Sequence, residues 1–396
     1  MNLIEIIKKR ANELQAELIA VRRYMHQYPE LSFQEHNTSK FICEQLDKYN
    51  IEYKSGVADT GIVAHVKGKN PNSKTICIRA DIDALPIQET NTCEYKSKVP
   101  GVMHACGHDV HTACVLGTAI ILNELKDVWS GTLKIIFQPG EEKLPGGASL
   151  MIKAGALKNP DAQKIIGQHV MPTMNVGTVG FRKGIFMASA DEIYVTVKGK
   201  GGHAATPHLN IDPILISSHL IVALQQTVSR NAPPHIPSVL SFGKIIGNGA
   251  TNIIPDEVKI EGTFRTFNEK WRFKAHELMK KLATELASSM GGVCDFDIHV
   301  GYPFLVNDDA LTEECKQGAI EYLGKENVED LEIRMTAEDF AYYSQIMPSC
   351  FYRLGTSNAL KNITSNIHTS TFDIDEEAIG IGCGLMAYLT VKQLNS

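Results

Sequence analysis

Residues 132–142 read Thr132-Leu133-Lys134-Ile135-Ile136-Phe137-Gln138-Pro139-Gly140-Glu141-Glu142. The first seven are rich in β-formers and predict a short strand, which Pro139 and Gly140 end. Two adjacent carboxylates follow. Upstream, an apolar helix is predicted over Thr112–Leu125, and before it two strand-like runs, Gly61–Lys67 and Thr75–Ala80. Strands alternating with helices predict an α/β domain with a mainly parallel sheet flanked by helices. Ligands of such sheets gather in loops beyond the carboxyl ends of the strands. Ala80-Asp81 and Gln138 to Glu142 both sit at such ends.

Working outward, Leu3, Ile6, Ile7, Leu14, Leu18 and Val21 recur at helical spacing, and a second helix is predicted over Glu35–Tyr49. After about residue 185 the texture changes. Ile193, Val195 and Val197 alternate with Glu192, Tyr194 and Thr196, the pattern of a half-exposed strand. An amphipathic helix over Pro213–Val228, strands over Ser238–Ile245 and Glu257–Thr266, and a helix over Asn268–Met290 follow. That order predicts a small α+β domain at 186–296, inserted into a larger domain formed by 1–185 and 297–396.

The chain has 396 residues, 39 Lys and Arg against 45 Asp and Glu, a net charge of −6 and 43% hydrophobic residues. This is globular composition, which excludes disordered and collagen-like classes. Mild acidity argues against a nucleic-acid partner. The longest apolar run, Ala113–Leu122, is about half of the roughly 20 residues that span a bilayer, so no membrane partner is expected. Nine cysteines, an odd number, suggest reduced thiols and a cytoplasmic location.

The densest chemical signal is His104-Ala105-Cys106-Gly107-His108-Asp109-Val110-His111. In extended backbone Cys106 and His108 would share a side, and a thiolate beside an imidazole suits borderline metals. Glu141 and Glu142 could divide the work, one ligating a metal and the other taking a proton from the attacking water. His169 ends a buried-looking strand, and His368 lies in a loop shortly before a helix. Taken singly, each is more often a satisfied core histidine than a ligand. Asp81 and Asp83 add carboxylates at another strand end, and Asp81 is a candidate for steadying a ligand imidazole. In the inserted domain, His203 on a glycine-rich turn suits an oxyanion, while Asn252 and Arg265 suit a carboxylate.

Together these segments, with Met25 to Phe33, Arg79 to Pro86, Gly199 to Pro207, Ala337-Glu338-Asp339-Phe340 and Asn366 to Thr369, resemble a known family over nearly the whole chain. It is the amidohydrolase branch of the dinuclear metallopeptidases related to aminoacylase and carboxypeptidase G. Hippurate hydrolases, N-acetyl-diaminopimelate deacetylases and plant indole-acetyl-amino-acid hydrolases belong to it. The resemblance implies a catalytic domain holding two divalent ions, manganese or zinc before cobalt or nickel, and a lid domain that also forms a homodimer. By position, Cys106 would bridge the metals, His108 and His169 would complete one site, and Glu142 and His368 the other. Glu141 would be the general base. His203, reaching into the partner subunit, would steady the oxyanion, and Asn252 and Arg265 would hold a substrate carboxylate. Where the wider superfamily has a His-x-Asp motif and a bridging aspartate, this chain has Arg79 and Cys106, with His108 supplying the missing imidazole. The implied reaction is hydrolysis of an N-acyl amino acid. A dipeptidase or carboxypeptidase is the alternative within the fold, and a non-catalytic binding protein the alternative outside enzymes. No role is read for Glu338 or Asp339.

Overall fold

A computed structural model describes residues 2–395. The chain divides into two compact units. The larger comprises the chain up to Phe186, Val306–Glu332 and everything from Asp339 onward, and the smaller comprises Met187–Leu305 and Ile333–Glu338. The sequence-derived boundary at 296 falls inside the strand Val293–Val300, which pairs with Asp191–Lys198 along its whole length.

The larger unit is built on an eight-stranded sheet. Its order is Glu52–Val57, Gly61–Lys67, Thr132–Gln138, Thr75–Asp81, Lys164–Asn175, Ser349–Ser357, Val179–Phe181, Val328–Asp330. Thr132–Gln138, Thr75–Asp81, Lys164–Asn175 and Ser349–Ser357 run parallel at its centre. The hairpin Glu52–Val57/Gly61–Lys67 joins one flank antiparallel, and Val179–Phe181 runs antiparallel to Ser349–Ser357 at the other. The expected α/β class with a mainly parallel sheet and flanking helices is therefore present, with antiparallel additions.

Thr132–Gln138 and Thr75–Asp81 are buried at every position, as central strands covered on both faces must be. Three helices, Leu3–Gln27, His108–Glu124 and Glu377–Asn395, pack together over the sheet. The middle one is buried from His108 to Leu122. No helix of the described residues is long and apolar enough to cross a membrane.

The smaller unit is a four-stranded antiparallel sheet, ordered Ser238–Ile246, Glu257–Thr266, Asp191–Lys198, Val293–Val300. Ile193, Val195 and Val197 are buried under the helices Pro213–Leu224 and Glu269–Ser289, and the intervening side chains are not. Asp212 caps the first helix ahead of Pro213, and Asn268 caps the second by accepting from Trp271 N–H. Asp191 ties strand to helix. It is fully buried and accepts Arg272 Nη2 at 2.6 Å and the His276 ring at 2.7 Å.

The expected amphipathic helix at 213–228 requires correction. It stops at Leu224, and Thr227–Asn231 forms a π turn. Its solvent side also carries large apolar residues, leaving Leu215 51% and Val222 74% exposed beside Ser218 and His219. Ile245 and Ile246, on the sheet-edge strand Ser238–Ile246, are exposed as well.

Candidate metal centre

The site gathers at the carboxyl ends of the central strands. Asp81 ends one strand, Glu141 and Glu142 follow another, and His169 lies within Lys164–Asn175 rather than at its end. Cys106 and His108 arrive on a loop that does not run extended, contrary to expectation. Gly107 takes φ 81, and His108 opens the helix four residues before the predicted start. A Cβ at Gly107 would lie 2.6 Å from Val170 Cγ2, so only glycine makes this corner. His368 takes a left-handed φ of 61, held by its N–H donating to Ala105 carbonyl at 2.7 Å. A non-glycine residue in that region signals local strain of the kind found at functional sites.

The residues form two triplets that share Cys106. Ligand atoms of Cys106, His108 and His169 lie within 4.8 Å of one another, and so do those of Cys106, Glu142 and His368. Cys106 Sγ is 3.5 Å from His169 Nε2 and 3.3 Å from His368 Nε2. His368 Nε2 is 3.2 Å from Glu142 Oε1. Glu141 is buried, and its carboxylate groups with His108 and Glu142 within the same 4.8 Å.

Hydrogen bonds fix the orientation of the rings. Asp83 Oδ1 takes His108 Nδ1 at 3.1 Å, leaving Nε2 buried without a hydrogen-bond partner. His169 Nδ1 donates to Val170 carbonyl at 2.8 Å, so its Nε2 also faces Cys106 as a lone pair. A thiol, three imidazoles and a carboxylate, with an orphaned buried ring nitrogen among them, fit a pair of divalent ions. A third grouping, Asp81 with His108 and His111, does not. His111 spends Nδ1 on Asp81 at 2.6 Å and Nε2 on accepting Val170 N–H at 2.9 Å.

Electrostatics agree with ligation. Burial, together with Glu142, Glu141 and Asp81, pushes the Cys106 thiol well above its ordinary value. Burial opposes protonation of His108, but Asp81, Asp83 and Glu142 outweigh it and raise the ring to about 10. Burial, then Arg353, holds His169 neutral. A divalent ion at this place would displace the protons from Cys106 and His108.

Several supporting residues escaped the sequence reading. Asp81, expected to steady a ligand imidazole, holds His111 instead, because its other oxygen is taken by Arg79 at 2.5 Å. Asp83 steadies His108, and also accepts Ser32 Oγ and Glu142 N–H. Glu35 holds the Gly140 turn by accepting its N–H at 2.8 Å. Asp109 is ion-paired with buried Arg22 at 2.8 Å and takes no part.

His203, Asn252 and Arg265 belong to the smaller unit. His203 pairs with Ile253 in a two-stranded ribbon, and Ala204 N–H donates to Asn252 carbonyl, so His203 and Asn252 are brought together. Exposed His203 accepts Ala205 N–H at Nδ1, which leaves Nε2–H free to donate. Arg265, on Glu257–Thr266, is half-buried. Among the described residues its guanidinium makes one hydrogen bond, from Nη1 to Met335 carbonyl at 3.4 Å. Glu338 also lies in the smaller unit, whereas Asp339 lies in the larger.

The pattern of Peptidase family M20/M25/M40 matches residues 77–392. The chain belongs to that family. Over 100% of both chains this M20 protein is 38% identical to "Thermostable carboxypeptidase 1" of Saccharolobus solfataricus. It is 40% identical to "N-acetyl-L-cysteine deacetylase" of Bacillus subtilis, covering 96% of this chain and 89% of that one. Among solved structures it is similar to the Bacillus subtilis YXEP protein, described as a dinuclear metal binding peptidase of the M20 family. There the TM-score is 0.81 at 35% identity, over 97% and 99% of the two chains.

Proposed function

We propose that this M20 protein is a metal-dependent amidohydrolase that cleaves N-acyl amino acids to a carboxylate and a free amino acid. The observation that carries the reading is the pair of ligand triplets sharing Cys106, with Glu141 buried beside them. Cys106, His108 and His169 would hold one divalent ion, and Cys106, Glu142 and His368 the other. The ions would supply Lewis acidity to the scissile carbonyl and the attacking water. Glu141 accepts the water's proton and returns it to the leaving amine. His203 donates from Nε2 to the oxygen on which charge develops. Arg265 and Asn252 grip the amino acid carboxylate. A thiolate ligand favours zinc, with manganese, cobalt and nickel as the alternatives. Exposed Leu215, Val222, Ile245 and Ile246 support a homodimer through the smaller unit. The metal thiolate supports a reducing, cytoplasmic setting.

The test is a panel of N-acetyl and N-benzoyl amino acids beside unblocked dipeptides, run on chelated protein reloaded with Zn, Mn, Co or Ni. N-acyl amino acids should be cleaved faster than dipeptides, and chelation should abolish turnover. Fully loaded protein that cleaves no N-acyl amino acid would sink the proposal. The full-length similarity to a carboxypeptidase supports a second reading, release of a C-terminal residue from a peptide, which the dipeptide arm reports.

A further inference from the structure

Behind the proposed centre, in the larger unit, lies a buried guanidinium used by none of the steps above. Arg79 is 1% exposed and donates in three directions: Nε to Gln138 Oε1 at 3.0 Å, Nη1 to Asp81 at 2.5 Å, and Nη2 to Asp339 Oδ1 at 2.7 Å. Each direction leads somewhere. Asp339 also accepts from Gln138 Nε2 and from Ala148 N–H at 2.9 Å, and its own N–H donates to Glu141 Oε1 at 3.3 Å. Asp81 accepts His111 Nδ1. His111 Nε2 accepts Val170 N–H, and Val170 carbonyl accepts His169 Nδ1. A continuous run of hydrogen bonds therefore passes from the general base to a metal ligand, with the Arg79 guanidinium at its middle.

We infer that Arg79 is a positioning residue that sets the attitude of Glu141 through Asp339 and of His169 through Asp81 and His111. The physical reason is charge and shape together. Asp81 and Asp339 are both fully buried, and two uncompensated carboxylates so placed would be costly. A planar guanidinium offers donors in fixed directions, so it locks both acids at once. A lysine ammonium keeps the charge but is a single point that cannot reproduce the fork. Catalytic geometry is sensitive to displacements of about 1 Å, for which losses near 100-fold are typical.

The inference rests on the proposed hydrolase reading for its kinetic arm only. The test compares wild-type protein with Arg79→Lys and Asp339→Asn, each stripped and loaded with Co²⁺. Two quantities are read: the thiolate–Co²⁺ and d–d absorption bands, and kcat and KM on the best N-acyl amino acid. Arg79→Lys is expected to shift the Co²⁺ bands and lower kcat at least 10-fold while KM stays within about threefold. Asp339 touches Glu141 directly and reaches His169 through Arg79, so Asp339→Asn should lower kcat and shift the Co²⁺ bands less than Arg79→Lys does. A purely structural role would lower the melting temperature without this division. Wild-type bands and wild-type kcat in Arg79→Lys would overturn the inference. Should Arg79→Lys fail to fold, Asp339→Asn with wild-type kcat would do the same. If no substrate is cleaved by any form, the hydrolase reading fails, and the Co²⁺ bands of Arg79→Lys still decide the ligand arm.

Discussion

Glu141 and Glu142 are neighbours in sequence with different surroundings, and that difference supports the separate roles proposed for them. Glu142 approaches His368 at 3.2 Å and shares a triplet with Cys106. Glu141 is buried and accepts the Asp339 N–H at 3.3 Å. Glu141→Gln should therefore keep both ions and lose about 10²- to 10⁴-fold in kcat, the usual worth of a general base. Metal content by emission spectroscopy, beside the kinetics, checks both halves. Protonation makes a second prediction. Without metal, Cys106 is held as a thiol and His108 as an imidazolium, its value raised to about 10, while His169 is neutral. Loading near pH 7 should release about two protons per chain. Calorimetric titration of stripped protein in buffers of different ionisation enthalpy measures the number. Release of none would show that Cys106 or His108 stays out of the centre.

At the scale of elements, the strands were legible because apolar runs bounded by Gly and Pro have few other readings. Gly61–Lys67, Glu257–Thr266 and the alternation of Asp191–Lys198 all appear as expected. The helix that begins at His108 was legible only from Thr112 on, because its first turn is occupied mainly by polar residues rather than by periodic apolar ones. Its start depends on the left-handed corner at Gly107, which no hydrophobic pattern encodes. In the smaller unit, the buried Asp191–Arg272 pair joins the first strand to the long helix. Asp191→Asn leaves the Arg272 guanidinium with Glu269 as its remaining carboxylate partner, at 2.9 Å, and should cost that unit about 3 kcal/mol, the low end for a broken buried pair. Although burial opposes it, His276 and Arg272 depress the pKa of Asp191 below its ordinary value. Its contribution is thus complete above the unfolded carboxyl range, about pH 3.9, and is lost as pH falls through the native value. Thermal unfolding from pH 7 down to 3 should be steeper in the wild-type protein than in the variant. Equal slopes would contradict the assignment.

For the whole molecule, the large exposed side chains of the smaller unit make the clearest prediction. Val222 at 74% and Leu215 at 51% exposure belong to a helix whose exposed side mixes apolar residues with Ser218 and His219. Val222→Glu should convert a dimer to a monomer in sedimentation velocity without lowering the melting temperature. A wild-type protein that is monomeric at micromolar concentration would refute the homodimer. The residues that gather at the candidate metal centre could be named from the sequence only through the resemblance its motifs carry, since the strand pattern alone left His169 and His368 open. The supports of that centre were not legible. Arg79 meets Asp339 from 260 positions away, and His111 looks like one histidine among several until Asp81 and Val170 are seen on either side of it. Such partners are set by tertiary packing, and spacing carries no trace of them.

The order of strands has one more consequence, for synthesis. Ser349–Ser357 lies between Lys164–Asn175 and Val179–Phe181, two strands made far earlier. The growing chain therefore exposes two unzipped sheet edges while the whole smaller unit and much else is translated, and His368 emerges later still. Long-range pairing of this kind is slow and exposed to aggregation. The smaller unit can fold on the ribosome as a local module, whereas the metal-binding unit must await nearly the last of its chain. Chaperone dependence should accordingly belong to the larger unit, and ribosome-stalled chains ending before residue 349 should carry no intact metal centre.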